Sequence, residues 1–129
     1  MLRYFLISLC AVLALASCGA GAEPRYIELM PTQAVEMIGK DTGLTVLDVR
    51  TAEEFAAGHL PGAINIDYHA DDFARQLATL PENRPVLVYC RSGNRSGKTV
   101  PLLRDLGFAD IRHMNGGWLA WQDAGLAAE

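Results

Sequence analysis

Residues 85–95 read PVLVYCRSGNR, and this stretch decides how the rest of the sequence is interpreted. Its first part, 85–89, is a near-continuous apolar run, which is typical of a strand buried on both faces of a parallel sheet. A cysteine follows at once, and two arginines, a glycine and an asparagine come within the next five positions. We therefore predict a buried strand that leads into a short polar loop, at the sheet edge where open parallel sheets bind their ligands.

The loop at 90–95 has the composition of an anion-binding site built around a thiol. Gly93 and Asn94 tolerate positive φ angles, so the loop can curl and point successive backbone N–H groups inward. The following helix adds its positive end, and Arg91 and Arg95 add two full charges. Each of these features favours a thiolate over a thiol, so we expect a depressed pKa for the cysteine. A cysteine that only fills the core would need neither the Gly-Asn turn nor the arginines.

Strand and helix patterns alternate on both sides of this loop. Strands are predicted at 26–29, 45–49, 63–66, 85–89 and 110–114. Helices are predicted at 33–38 after Thr32, at 52–57 behind a Thr-Ala-Glu-Glu capping box, from Asp71 to about Leu80, after Arg95 up to Gly107, and at 117–124. This alternation predicts an α/β domain, with a parallel sheet of about five strands covered by helices on both faces.

One position conflicts with a regular helix in this pattern. Pro101 falls inside the helix predicted after Arg95, and a proline in a helix interior costs about 3 kcal/mol or more. Either that helix is kinked, or its regular part begins near Val100 with the proline in its first turn.

Length and charge exclude several classes of protein. A chain of 129 residues fits one domain, which can bury enough surface to fold without a metal or a disulfide. The formal net charge of −4 argues against a nucleic-acid partner. His69 and His113 are isolated in the sequence, so we predict no metal site.

The N-terminus has the features of an export signal. Arg3 provides a positive start, and 4–16 is an uncharged apolar run that is too short to span a bilayer comfortably. The residues that follow, LASC at 15–18, resemble the lipobox of bacterial lipoproteins, in which the cysteine is acylated and becomes the new N-terminus. An ordinary signal peptide, with Cys18 incidental, is the alternative.

These features divide the chain into three parts. We expect a signal peptide at 1–17, a lipidated Cys18 with a tether at 18–25, and a folded domain at 26–129. The predicted location is the periplasmic side of a bacterial envelope, with the membrane contacted through the lipid anchor. Cys90 is then the only free thiol of the mature domain, and in an oxidising compartment such a thiol is either buried and inert or kept for its reactivity.

Four motifs together give residues 26–124 a close resemblance to the rhodanese (sulfurtransferase) family. They are LDVR at 47–50 with EEF at 53–55, GHLPGAINI at 58–66, the six-residue loop CRSGNR at 90–95, and GGW at 116–118. Each motif is weak alone, but all four in this order are specific.

The resemblance implies a rhodanese-like fold and a sulfurtransferase that works through a persulfide. Cys90 would attack the outer sulfur of a small anionic donor such as thiosulfate, sulfite would leave, and a thiol or cyanide would then accept the sulfur. Arg91 would bind the donor and Arg95 would hold the loop at the start of the helix, with no metal or organic cofactor. The residues that would bind substrate are Arg91, Ser92, Gly93, Asn94 and Arg95.

Two other functions remain open on the sequence. A cysteine phosphatase would use a similar loop, but one residue longer, so the family resemblance favours sulfur over phosphate. The domain could also be a sulfur carrier or docking module for a partner protein of the envelope. An intact loop with Cys90 argues against an inactive module, but not against a protein substrate.

Three residues outside the loop are predicted to support the site. Asp48 ends an apolar strand, where a buried carboxylate needs a partner, and Arg50, Arg91 or His59 could provide one. A structural ion pair that braces the site is the favoured interpretation of Asp48. His59 is interpreted as a hydrogen-bonding residue of its turn rather than as a proton shuttle.

Overall fold

The computed structural model describes residues 23–41 and 43–129. Five strands form one sheet in the order β1-β5-β4-β2-β3, and all neighbouring strands are parallel. The strands are β1 (Arg25–Glu28), β2 (Thr45–Asp48), β3 (Ile64–Asn65), β4 (Val86–Tyr89) and β5 (Asp110–His113). The helices are α1 (Pro31–Lys40), α2 (Ala52–Ala56), α3 (Phe73–Leu77), α4 (Asn94–Asp105) and α5 (Gly117–Asp123). The five strands follow the predicted ones within one residue at each end.

Alternate residues of the central strands supply two separate cores. Leu47 and Val88 point to one face of the sheet and pack with buried residues of α3 and α4. Val46 and Leu87 point to the other face and pack with residues of α1 and α5. Since side chains of a strand alternate between its faces, a strand that is apolar at every position must be covered on both sides. The predicted α/β fold, with helices on both faces of a parallel sheet, is confirmed.

Helix α4 begins at Asn94 rather than after Arg95, and two other helices also begin at other residues than predicted. Helix α1 begins at Pro31, before Thr32, because proline suits the first helical position and the Gln33 side chain accepts a hydrogen bond from the Met30 N–H over 2.8 Å. Helix α3 begins after Asp72 and is confined to Phe73–Leu77, so it is shorter than predicted.

Pro101 lies in the interior of α4, which begins at Asn94. The interpretation in which the regular helix begins near Val100 is therefore wrong. The proline has no N–H to offer to the carbonyl of Gly97, four residues earlier. Both Gly97 and Pro101 are exposed, so water can satisfy that carbonyl and the helix continues.

Some predictions concern residues outside the described part of the chain. The predicted signal at 1–17, the lipidated Cys18 and most of the tether lie there. Arg25, the last residue of the predicted tether, is the first residue of β1. Within residues 23–41 and 43–129, no helix is both long enough and apolar enough to cross a membrane.

Candidate active site

Cys90 lies directly after β4, at the carboxyl edge of the sheet, with only 1% of its surface exposed. The chain turns back over the thiol at Gly93, whose φ is +98° and whose N–H donates to the sulfur over 3.1 Å. Ser96, in the first turn of α4, places its hydroxyl oxygen 3.3 Å from the sulfur. A side chain at Gly93 would collide with the backbone carbonyl of Asn115, so glycine is required there on steric grounds as well.

The start of α5 holds the outer side of this loop. The N–H of Trp118 donates to the carbonyl of Cys90 over 2.8 Å, and the N–H of Leu119 donates to that of Arg91 over 3.1 Å. Gly117, with φ at +63°, lies so close that a β-carbon there would be 2.5 Å from the Cys90 carbonyl oxygen. Because α5 engages the carbonyls, the loop N–H groups are left to face the sulfur.

These donors stabilise the ionised form of the thiol. Burial raises the pKa of Cys90, but hydrogen bonds from the Ser96 hydroxyl and from the N–H groups of Ser96, Ser92 and Gly93 lower it by more. The pKa of Cys90 is therefore below its usual value, in the expected direction. The cause differs from the expectation in part, since the lowering comes from N–H and O–H donors rather than from the charges of the loop arginines.

The two arginines of the loop have different surroundings. Arg95 is half-buried and its guanidinium lies 3.0 Å from the carboxylate of Glu54, so it joins the start of α4 to α2. Arg91 is exposed, and its charge faces the solvent outside the thiol. Asn94 is the first residue of α4 and does not form a left-handed turn, because only glycines have positive φ among the described residues.

Glu54 also explains why the predicted capping box is only half formed. The hydroxyl of Thr51 accepts a hydrogen bond from the Glu54 N–H over 3.2 Å, as the pattern predicts. The carboxylate that would close the box is instead the partner of Arg95.

Asp48 and Arg50 form a buried ion pair beside the site. Asp48 is fully buried and Arg50 is 2% exposed, and a guanidinium nitrogen lies 2.6 Å from a carboxylate oxygen. The hydroxyl of Tyr89 donates to the same carboxylate over 2.5 Å. Arg50, rather than Arg91 or His59, is therefore the partner of Asp48, and Tyr89 is a third member that the sequence did not suggest.

Arg50 extends this pair to the surface of the site. Its guanidinium lies 4.7 Å from the ring centre of Trp118 and donates to the carbonyl of Gly58 over 2.7 Å. Trp118 follows the glycine that touches the Cys90 loop, so the ion pair supports the loop through α5. Trp121 is fully buried in the core, whereas Trp118 is half-buried and combines core packing with this cation–π contact.

His59 lies in the turn after α2, next to Gly58. Its ring stacks on Phe55 with 3.8 Å between ring centres, and its Nδ1 is 3.0 Å from the Phe55 carbonyl oxygen. Its backbone pairs with that of Glu129. These contacts give His59 a role in holding its own turn, which lies next to the Gly58 carbonyl that Arg50 binds.

Besides Tyr89, two more residues at the site were not found by sequence reasoning. Ser96 contacts the sulfur directly, and His113 lies behind Ser96 with its Nε2 at 2.7 Å from the hydroxyl oxygen. Ser96 lies directly after the loop motif, six residues after Cys90. A serine in the first turn of the helix that follows a cysteine loop is the sequence signal that could have identified it. His113 comes from β5, and only the strand order brings it there. Within the described ranges, no three His, Cys, Asp or Glu side chains are grouped so as to hold a metal ion.

Comparison with known proteins gives a consistent family. The model of the rhodanese-like domain matches residues 30–124. The thiosulfate sulfurtransferase GlpE of Pseudomonas putida is 41% identical over 98 residues, which are 75% of this chain and 86% of that protein. A sulfurtransferase of Allochromatium vinosum is 33% identical over 81 residues, which are 63% of this chain and 74% of that protein. The crystal structure of a rhodanese-related protein from Thermoplasma volcanium superposes with a TM-score of 0.68 at 28% identity, covering 81% of this chain and 97% of that one.

Proposed function

The chain belongs to the rhodanese-like domain family, and we propose that it transfers sulfane sulfur from thiosulfate, or a similar anionic donor, through a persulfide on Cys90. It is a rhodanese-like sulfurtransferase. The donor, the acceptor and the covalent intermediate are the proposal.

The chemistry follows from an activated thiolate in a pocket of donors. The Cys90 thiolate attacks the outer sulfur of thiosulfate, a sulfur–sulfur bond forms, and sulfite leaves with the electron pair of the broken bond. The resulting persulfide anion is stabilised by the same N–H groups that face the thiolate. Cyanide or a thiolate then removes the outer sulfur and regenerates the Cys90 thiolate.

The single observation that carries the proposal is the set of donors around one sulfur. Sγ of Cys90 receives the Gly93 N–H over 3.1 Å and lies 3.3 Å from the Ser96 hydroxyl, at the end of a buried strand. A cysteine that only fills a core gains nothing from such donors, because they stabilise its anion. The loop therefore favours a thiolate nucleophile, and the family supplies sulfur as the group transferred.

The ion pair of Arg95 with Glu54 argues against phosphatase activity. A loop that binds a phosphoryl group typically aims a bidentate guanidinium at its oxygens. The guanidinium of Arg95 is 3.0 Å from Glu54 and is neutralised by it. Arg95 is therefore held by Glu54 and not aimed at the oxygens of a phosphoryl group, whereas the persulfide on Cys90 carries one charge that the loop N–H donors match.

A turnover assay tests the proposed reaction. With thiosulfate and cyanide, we expect equal amounts of sulfite and thiocyanate, and no phosphate release from para-nitrophenyl phosphate. Hydrolysis of the phosphate ester without thiocyanate formation would overturn the proposal in favour of the phosphatase. No turnover of either small substrate would favour a sulfur carrier or docking module that receives sulfur from an envelope protein.

Arg91 is proposed to attract the anionic donor from solvent. Because its charge is exposed, Arg91→Ala should raise KM for thiosulfate about threefold to tenfold, and little for an uncharged organic trisulfide. The measurement is the KM of both donors at low and at physiological salt. Lys98, also exposed and near the start of α4, gives the matched control Lys98→Ala, for which we expect a smaller change. An equal rise of KM for both donors would remove the proposed role of Arg91.

We further propose that Cys18 carries lipid and holds the domain at the periplasmic side of a bacterial envelope. The support is the lipobox-like sequence at 15–18 after a short apolar run. Cys18→Ser should move the full chain from the membrane fraction to the soluble fraction of expressing cells. Cys10→Ser, a change inside the predicted signal, is the control and should leave it in the membrane fraction. Equal membrane association of both variants would contradict lipid anchoring at Cys18.

A further inference from the structure

A chain of hydrogen bonds runs from the nucleophile across the sheet to its edge. Sγ of Cys90 is 3.3 Å from the Ser96 hydroxyl oxygen, which is 2.7 Å from Nε2 of His113. Nδ1 of His113 is 3.2 Å from the hydroxyl of Tyr26, and that hydroxyl is 3.1 Å from a carboxylate oxygen of Glu28. The first three residues are buried, with at most 3% of their surface exposed, while Tyr26 and Glu28 lie at the surface.

We propose that His113 is a positioning residue for the reaction, which orients the Ser96 hydroxyl toward the sulfur of Cys90. The proposal rests on the proposed role of Cys90 as nucleophile and adds a residue from β5 that does not touch the substrate.

Counting donors fixes the direction of the hydrogen bonds. A thiolate can only accept, so Ser96 must donate its single proton to the sulfur when Cys90 is ionised. The Ser96 oxygen then accepts, and Nε2–H of His113 is the buried group at hydrogen-bond distance that can donate to it. Nδ1 then has no proton and accepts from the Tyr26 hydroxyl, whose single proton is then no longer donated to Glu28.

The same count for the thiol reverses each bond from Cys90 to Tyr26 and leaves the Tyr26 proton available to Glu28. The thiol donates to Ser96, Ser96 donates to Nε2, and Nδ1–H donates to Tyr26, which donates to Glu28. Ionisation of Cys90 is therefore linked to the tautomer of His113, because only the tautomer with a proton on Nε2 supports Ser96 as a donor to the sulfur.

The surroundings keep His113 neutral, as this arrangement needs. Burial lowers the pKa of His113, and the charge of Glu28 opposes that shift only in part. The other charged group facing this end is Arg104, whose guanidinium lies 5.1 Å from the ring centre of Tyr26. Ser96 on α4 and Tyr26 on β1 are the groups that contact the imidazole itself.

The test is the pH titration of the Cys90 thiolate, followed by its ultraviolet absorbance. The full chain carries Cys10→Ser and Cys18→Ser, which leaves Cys90 as its only thiol. The same chain with Cys90→Ser provides the baseline. This titration uses no sulfur donor, so the proposal about His113 and the proposed sulfur transfer can fail separately.

Two substitutions of matched chemistry give the sharpest readout. The amide of His113→Gln reaches about as far as Nε2, whereas the amide of His113→Asn is one methylene shorter and reaches about as far as Nδ1. We expect His113→Asn and His113→Leu to move the midpoint upward by about one pH unit. His113→Gln should stay within about 0.3 unit of the parent. Equal midpoints for Gln and Asn would overturn the proposal.

A double-mutant cycle shows whether His113 acts through Ser96. Ser96→Ala should raise the midpoint, and adding His113→Leu to it should change the midpoint no further. A shift by His113→Leu that persists without the Ser96 hydroxyl would overturn the proposal. Circular dichroism checks that each variant is folded.

Tyr26→Phe covers the case in which the buried variants do not fold. Tyr26 is 39% exposed, so removal of its hydroxyl leaves the core intact. The midpoint should fall, because Tyr26 both accepts from Nδ1–H and donates to Glu28 in the thiol state, but can only donate to Nδ1 in the thiolate state. An unchanged midpoint in Tyr26→Phe would overturn the proposal on its own.

Discussion

Replacing Cys90 with serine should abolish sulfur transfer while leaving the fold unchanged. The serine hydroxyl fits the same buried position under Gly93, but it is a far poorer nucleophile at neutral pH and cannot hold a sulfane sulfur. We expect thiocyanate formation from thiosulfate and cyanide to fall by at least about a thousandfold. The measurement is the initial rate with both substrates at saturation.

The control for this loss is the folded state of the variant. Circular dichroism and the midpoint of urea unfolding should match those of the parent chain, since serine differs from cysteine by one buried atom. Lys98→Ala, an exposed change in α4 outside the loop, should retain most of the activity. Residual activity near the parent level in Cys90→Ser would show that another group carries the sulfur.

Removing the carboxylate of Asp48 should give the largest loss of stability. Arg50 is 2% exposed, and without Asp48 its charge would be buried without a counter-ion. Breaking a buried ion pair by removal of one partner costs about 3–5 kcal/mol, so Asp48→Ala should lower the free energy of unfolding by about that amount. Urea denaturation followed by tryptophan fluorescence measures it.

A double substitution separates the buried charge from the loss of packing. When Asp48→Leu is combined with Arg50→Met, no charge is left buried, and the free energy of unfolding should recover by about 2 kcal/mol or more relative to Asp48→Ala. Sulfurtransferase activity of the double variant should be below that of the parent. The guanidinium of Arg50 is then no longer there to contact Trp118, so α5 holds the Cys90 loop less firmly. A loss of less than about 1 kcal/mol of unfolding free energy in Asp48→Ala would contradict the structural role of the Asp48–Arg50 ion pair.

The fold could be predicted because its signals are local. The run at 86–89 is apolar at each position and is buried from end to end in the structure, as a central parallel strand must be. Helix ends were less predictable, because they depend on single contacts. Helix α1 begins at Pro31 because the Gln33 side chain accepts a hydrogen bond from the Met30 N–H. The capping box of α2 is half formed because the Glu54 carboxylate pairs with Arg95.

The site was predictable where its residues are neighbours in sequence. The loop around Cys90 could be predicted from one short motif. The need of Asp48 for a partner was also predicted, but Arg50 was one of three candidates and the structure selects it. Tyr89 and His113 were missed, because their roles depend on which strands are adjacent. The pKa of Cys90 was expected to fall because of the loop N–H groups, the helix end and two arginines. The N–H groups do lower it, but one arginine is paired with Glu54 and the other is exposed.

The most direct test of sulfur transfer through Cys90 is the mass of the protein itself. The full chain with Cys10→Ser and Cys18→Ser is incubated with thiosulfate, weighed intact, and weighed again after cyanide is added. We predict the gain of one sulfur atom, located on the peptide that contains Cys90, and its loss with release of one thiocyanate per chain. No gain in mass by the folded chain, or a gain that persists when Cys90 is serine, would contradict the proposed persulfide.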